Sequence, residues 1–521
     1  MHMMRTTYKL ILICLGALAL RLALLPFIAH PGISDPNHYY NLGRELAQGQ
    51  GFTIDYVWQY YNPPDAVVHP TDWWMPLTGV LVAGGMTLGG VNVTAALLPF
   101  VLIGALLPLG GYWAARQLQC SEGGSLFAAA AVGLLPELVL NSLRTNTLVP
   151  ATLLVTLSLL LITQWLADRR AWLLLAAGAS GGLAYLTRSE STLLLPMFAV
   201  MLVLVALAGR PVRRGQWGTV ILAGLVALIV VAPWLWRNYD VHGWLTPPNQ
   251  QRIFFWTDFR DLYAYERDLT WDTMTEVQTM REIVGKRVFE MAASTKIMFT
   301  ALDNFLPVAV AGGLLLLLAR RDWERLLALA PAIVLLGGFF VFYTILAPFF
   351  SQGGSFKKAY LSLVPLLIPA GVYALEAAIP DRRLRYGTML LVGALLAANA
   401  VEMVRADVRE TNNFVDEMEQ VVDVLETLPD TNGDGERVLM TQDQFMLSFL
   451  GVRSVAIPME PREKILAVAQ RYGVDYLLMP PARPALDPIH NGRETDPRFV
   501  PVADVPGTNN TLYGFDFDAQ P

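Results

Sequence analysis

Cysteine is almost missing from this sequence, and neither of its two cysteines lies in a long polar segment. Cys14 falls in the first apolar run and Cys120 in a short turn, so a disulfide framework is excluded and a Cys-based metal site cannot be assembled. Charge is scarce as well. Only 16% of residues are Asp, Glu, Lys or Arg, and a net charge of −6 offers no basic surface for nucleic acid. No H-E-x-x-H spacing occurs, and no internal repeat is visible. What is abundant is apolar: 54% of the chain is hydrophobic, well outside the range of a soluble protein of 521 residues.

These residues are gathered into eleven runs of roughly 17–25 residues, each able to cross about 30 Å of hydrocarbon. The runs lie near residues 8–28, 93–115, 124–140, 147–166, 171–186, 191–208, 218–236, 303–319, 326–347, 360–378 and 388–404. Basic residues mark alternate junctions: Arg5 and Lys9, Arg116, Arg169–Arg170, Arg210 with Arg213–Arg214, Arg320–Arg321 with Arg325, and Arg382–Arg383 with Arg385. The positive-inside rule places those junctions in the cytoplasm. The three longest polar segments, about 29–75, 237–302 and 405–521, then share the opposite side. The first run lacks a small-residue cleavage site and reads as a retained helix. The expected fold is an α-helical polytopic membrane protein of about 11 spans, residues 1–404, with a small extracytoplasmic α/β domain at 405–521 and a cytoplasmic N-terminus.

The first outer segment opens with Ser34-Asp35-Pro36 and continues as an amphipathic stretch with Tyr39, Leu42 and Leu46 on one helical face. Asp35 at its start reads either as an N-cap or as a reactive carboxylate. Around it are Asp55, Asp65, Asp72, His38 and His69, interleaved with Tyr60, Tyr61, Trp58, Trp73 and Trp74. Carboxylates bind or deprotonate hydroxyls while aromatic faces stack on the C–H surface of a pyranose, so the composition suits a sugar. His38 and His69 with Asp35 or Asp72 also leave a divalent metal open as a cofactor.

The run at 218–236 ends PWLWRN, setting Arg237 and Asn238 where the chain leaves the membrane on the outer side. Arg237 is read as a snorkelling anchor or as a phosphate clamp, since a guanidinium grips phosphate oxygens with a two-pronged fork. Lys357 and Lys358 are basic residues on the side that should lack them, which calls for an anionic partner such as a lipid phosphate. Arg188 and Glu190, in an outer turn, are spaced to pair with each other.

After residue 404 the chain turns more polar, with helical patterns at RETNNFVDEMEQVVDVLETL and EPREKILAVAQRYG and strands at RVLMT and DYLLMP. Within it, Asp430, Asn432 and Asp434 have the spacing of the first ligands of a calcium loop, but Thr441 stands where its bidentate Glu belongs. An ordinary polar turn is the favoured reading.

Asp35 with Tyr39, Gly49-Gln50-Gly51-Phe52, Met75-Pro76-Leu77, GLAYLTR at 182–188, PWLWRN followed by His242-Gly243, and Lys358-x-Tyr360 ahead of Pro365 occur in an order that resembles the GT-C superfamily of membrane glycosyltransferases. The similarity is to the branch holding protein O-mannosyltransferases and the lipid A aminoarabinose transferase; the WWDYG motif of oligosaccharyltransferases is missing. The resemblance implies a hexosyl- or pentosyltransferase at the outer face of the cell membrane, with a polyprenyl-phosphate sugar as donor, a protein, lipid or glycan as acceptor, and membrane lipids around it. It implies Asp35 as base, with Arg237, Asn238, Lys357, Lys358, Arg188, Tyr39, His69, Asp72 and Tyr360 binding substrate. Pro36 stands where relatives often carry a second acid. Rival functions are a flippase of lipid-linked sugars and a non-catalytic sensor. A flippase calls for ionisable residues inside its spans, where, more than two residues from a run's end, only Arg21 and Glu137 occur.

Overall fold

The computed structural model of the protein describes residues 2–520 apart from 208, 210, 434 and 482, with side chains from residue 6 onward. Arg210 and Asp434 therefore lie outside the described residues, as does the side chain of Arg5. The helices of the first half are α1 (His2–Leu24), α2 (Asp35–Ala47), α3 (Pro76–Gly89), α4 (Val93–Gln117), α5 (Glu122–Leu134), α6 (Pro136–Asn141), α7 (Leu148–Asp168), α8 (Ala171–Tyr185), α9 (Leu194–Leu207) and α10 (Arg214–His242). Then come α11 (Trp271–Val277), α12 (Met280–Thr300), α13 (Phe305–Ala319), α14 (Trp323–Val341), α15 (Ser355–Leu361), α16 (Val364–Ala378) and α17 (Arg382–Thr427).

Every expected run is helical, but the span count differs from eleven. Among the described residues seven segments are long and apolar enough to cross a membrane on their own, and nine if the bent pairs α12–α13 and α15–α16 each count as one. The physical reason lies in breaks. Pro136 has no N–H and pushes Leu135 into an extended conformation (φ −59°, ψ 123°), so the run at 124–140 divides into α5 and α6. Asp303 and Asn304 both take positive φ where α12 turns by 102° into α13. α3 was not among the expected runs; at 14 residues it is too short to stand out from its loop.

Small residues set the helix spacing, because apolar side chains gain little from leaving lipid for protein and close backbone contact must supply the attraction. A methyl group on Gly313 of α13 would sit 1.9 Å from the Ala370 carbonyl of α16, and one on Gly178 of α8 2.3 Å from the Ala223 carbonyl of α10.

Beyond the membrane region, α17 runs unbroken for 46 residues, its far half covering one face of a six-stranded sheet. The strands are β1 (Thr53–Ile54), β2 (Tyr56–Val57), β3 (His69–Pro70), β4 (Val438–Thr441), β5 (Arg453–Ala456), β6 (Tyr476–Leu478), β7 (Phe499–Asp504) and β8 (Thr511–Phe515). The large sheet has the order β2-β5-β4-β6-β8-β7, parallel from β2 to β6 and antiparallel beyond. β4 alternates as a buried strand must: Leu439 packs with α17, Val438 and Met440 with α19 (Arg462–Arg471) on the other face. The first edge strand, β2, comes from the loop after α1, nearly 400 residues earlier in the chain. Tyr56 pairs with Ser454 and Val57 with Val455, so that loop is stitched into the C-terminal domain.

Candidate active site

Ser34, in an unusual backbone conformation (φ 64°, ψ −121°), delivers the chain into α2 without a side-chain cap, and Asp35 is the first helical residue. The Asp35 carboxylate is not used as a cap. It receives the Lys358 ammonium of α15 at 2.5 Å. Burial opposes charge on Asp35, but Lys358, with Arg188 behind it, outweighs burial and holds the carboxyl below its ordinary range. Asp35 is therefore an anion at neutral pH, and its partner lies 323 residues away in sequence.

The pair borders two cavities. One, of about 250 Å³, is lined by Tyr39, Trp58, Trp73, Trp74, Arg188, Glu190, Phe259, Tyr263, Phe350 and Phe445. Arg188 is ion-paired with Glu190, and it donates to the Thr147 hydroxyl at 2.9 Å. The other, of about 230 Å³, is polar: Asn141, Arg144, Asn146, Lys357 and Glu137 line it, with Gly353 and Gly354 at its rim. Lys357 lies 2.6 Å from Glu137, and Arg144 pairs with Asp407 of α17. One carboxylate thus stands between an aromatic chamber and one holding several cations.

α2 is itself positioned from the C-terminal domain through α18 (Gln444–Phe449). Asn41 donates to the Phe445 carbonyl at 3.0 Å and Arg44 to the Ser448 carbonyl at 3.3 Å, while the Ser448 hydroxyl donates to Asp55. Phe445 then reaches the aromatic chamber, packing edge-on against Trp74 and Tyr56. His38 is fully buried, stacked on Trp74 at 4.3 Å and bonded through Nδ1 to the Tyr56 hydroxyl at 2.5 Å. Burial lowers its pKa to about 3, so it is neutral.

Residues 68–236 match the family described as dolichyl-phosphate-mannose-protein mannosyltransferase. The structure is similar to that of ArnT from Cupriavidus metallidurans in the apo state, at TM-score 0.57 and 15% identity, covering 97% of this chain and 98% of that one. It matches the same protein bound to undecaprenyl phosphate at 0.55 and 16%, covering 98% and 99%. The archaeal oligosaccharyltransferase AglB from Archaeoglobus fulgidus, in complex with an inhibitory peptide and a dolichol-phosphate, matches at 0.57 and 13%, covering 91% of this chain and 69% of that one. No curated protein matches by sequence. The fold is GT-C.

Within this frame the remaining candidates divide by location. Tyr39, Arg188, Lys357 and Lys358 line the cavities beside Asp35. Arg237 does not. Its guanidinium donates to the carbonyls of Thr71 (2.7 Å) and Phe52 (3.2 Å) and lies over the rings of Trp234 and Phe52, tying the first outer loop to the end of α10. Asn238 is buried and donates to the Leu245 carbonyl at 3.3 Å. Tyr360 is buried in the core, stacked on Phe356. His69 and Asp72 line a third cavity. Burial lowers the His69 pKa to about 4 and raises that of Asp72 to about 6. Sequence reasoning missed Arg144, Asn141, Phe445 and the loop aromatics Phe259 and Tyr263. The only signal for them was polarity at the start of an apolar run, or an aromatic in a loop.

The residues present do not fit a metal ion at Asp35. Among the described residues no three His, Cys, Asp or Glu side chains are grouped as ligands, and the Lys358 ammonium takes the place a cation would hold on the carboxylate. Asp430 accepts the backbone N–H groups of Asn432 (3.1 Å), Gly433 (2.8 Å) and Gly435 (2.7 Å), closing its own turn.

Proposed function

We propose that the chain is a glycosyltransferase that moves a hexosyl or pentosyl group from a polyprenyl-phosphate donor to an acceptor at the outer face of the membrane. The observation that carries this reading is Asp35, ionised and poised between an aromatic chamber and a cation-lined one within a GT-C fold. The sugar of the donor lies in the aromatic chamber, its C–H face against the tryptophans. The lipid phosphate lies in the polar cavity, where Lys357, Lys358 and Arg144 gain a stronger anion than the carboxylates they hold at rest. The polyprenyl tail follows a groove between helices. That ArnT has been seen with undecaprenyl phosphate and AglB with a dolichol-phosphate supports a lipid-phosphate donor here.

The acceptor's hydroxyl or amine attacks the anomeric carbon as the C–O bond to phosphate breaks. Asp35 takes the acceptor's proton, and the lysines neutralise charge gathering on the departing phosphate. Attack from the face opposite the phosphate inverts the anomeric centre. In this orientation the N-terminus is cytoplasmic and the domain after α17 extracytoplasmic.

The test is Asp35→Asn. It keeps the size and the first-turn position but removes the basic oxygen, so turnover of a polyprenyl-phosphate sugar should fall by roughly 10²–10⁴ while donor binding survives. A folded Asp35→Asn protein with full transfer activity would end Asp35's role as base. A cell-envelope glycan profile unchanged by deleting the protein would end the transferase reading.

A further inference from the structure

Trp58 lines the aromatic chamber and also a larger cavity, about 440 Å³, where the first outer loop curls against the end of α10. Its wall includes Asn62, His69 and Asp72 from the loop and His242 and Trp244 from the far side. The loop is pinned: Arg237 holds the Thr71 and Phe52 carbonyls, and His69 Nδ1 lies 2.9 Å from the Val67 carbonyl. The half-buried Trp244 indole is fixed by stacking on His242, with centroids 4.6 Å apart and planes 10° from parallel.

The lining defines a ligand class. Among the described residues no Lys or Arg lines the cavity, and Arg237, which reaches His242 Nε2 at its edge, is committed to the Thr71 and Phe52 carbonyls, so the cavity is not built for a phosphate or another anion. Carboxyl, amide and imidazole groups rule out a purely apolar guest, and no three metal-ligating groups come together among the described residues. Two indoles beside hydrogen-bonding side chains that both donate and accept are the surroundings a neutral sugar ring requires: C–H faces to stack, hydroxyls to bond. The cations suited to a lipid phosphate lie in the other cavity at Asp35, whereas this one adjoins the aromatic chamber through Trp58.

We infer that this cavity is a saccharide subsite, holding the part of a glycan acceptor that extends past the ring reacting at Asp35. The inference rests on the transferase reading and adds to it a carbohydrate acceptor long enough to span both chambers. Trp244 and Asn62 position the acceptor and take no part in bond making.

Saturation-transfer NMR on the detergent-solubilised full chain tests this with mannotriose and chitotriose as probes, alongside consumption of a polyprenyl-phosphate sugar by the same samples. At least one trisaccharide should bind wild type and Asp35→Asn alike. Trp244→Ala should weaken that binding by about tenfold, and Trp244→Phe, which keeps an aromatic face, should restore most of it. Binding unchanged in Trp244→Ala, or lost in Asp35→Asn, overturns the subsite. Donor consumption by a wild type that binds neither trisaccharide overturns the subsite and leaves the transferase reading standing. Trisaccharide binding sensitive to Trp244, with no consumption of any polyprenyl-phosphate sugar, upholds the subsite and removes the transferase.

Discussion

Replacing Lys358 with Met should move the acid limb of the pH–rate profile upward. A base works only when deprotonated, so kcat/KM falls as pH drops through the pKa of Asp35. Burial raises that pKa, and the Lys358 ammonium at 2.5 Å is the foremost influence holding it down, followed by Arg188. An opposite charge within about 4–6 Å holds a carboxyl down, and removing it lets burial push the pKa up. The side chains are 18% exposed for Lys358 and 30% for Asp35, so solvent screens part of the attraction and the limb should move upward by less than the loss of a fully buried pair would give. The profile should be measured as initial rates of polyprenyl-phosphate sugar consumption from about pH 4 to 9. Lys358→Met should reach wild-type dependence only at higher pH, and its plateau should drop as well because the departing phosphate loses a cation. Lys358→Arg should keep the wild-type limb. An acid limb that stays in place in Lys358→Met, with the protein folded, would show that Asp35 is not the group titrating, and the base would have to be sought elsewhere in the loop.

Arg237→Ala removes charge-assisted bonds to two loop carbonyls and should lower stability by about 2–4 kcal/mol in a thermal melt, while donor KM in the folded fraction changes little; a large rise in KM with an unchanged melt would restore the phosphate-clamp reading. Asp72, raised by burial from 3.8 to about 6, favours folding in its protonated form. Its contribution of about 2–3 kcal/mol is present below pH 4 and lost as pH rises through 6, so melts of wild type should weaken across that window and those of Asp72→Asn should not. A reporter active only outside the cytoplasm, fused after residue 404 or at the end of α17, should be active, and cytoplasmic activity alone would invert the topology.

The membrane region was legible because one-dimensional information suffices for it: a run of apolar residues must become a helix in lipid, whatever its neighbours. The breaks were less visible, since Pro136 and the Asp303–Asn304 turn are local events inside long apolar runs. The site was legible in its chemistry more than in its geometry. Asp35 stood out as a carboxylate at a helix start and Lys358 as a cation on the side that should lack one, but nothing in spacing joins residues 323 apart. Arg237 carried the same kind of signal as Lys358, a basic group at an outer helix end. What separates them is the partner: backbone carbonyls for Arg237, a carboxylate bordering two cavities for Lys358.

The least legible feature carries the most mechanical consequence. β2 is two residues long and α18 six, too short for any periodicity to register, yet together they bind the loop bearing Asp35 to the C-terminal domain. β2 extends that domain's sheet, and α18 grips α2 through Asn41 and Arg44 and sends Phe445 into the chamber beside the carboxylate. A displacement of the C-terminal domain must therefore shift α2 and Asp35 with it, or break the Asn41 and Arg44 bonds. The domain after α17 is in this way a wall of the chamber beside Asp35, and its position sets how open that chamber is.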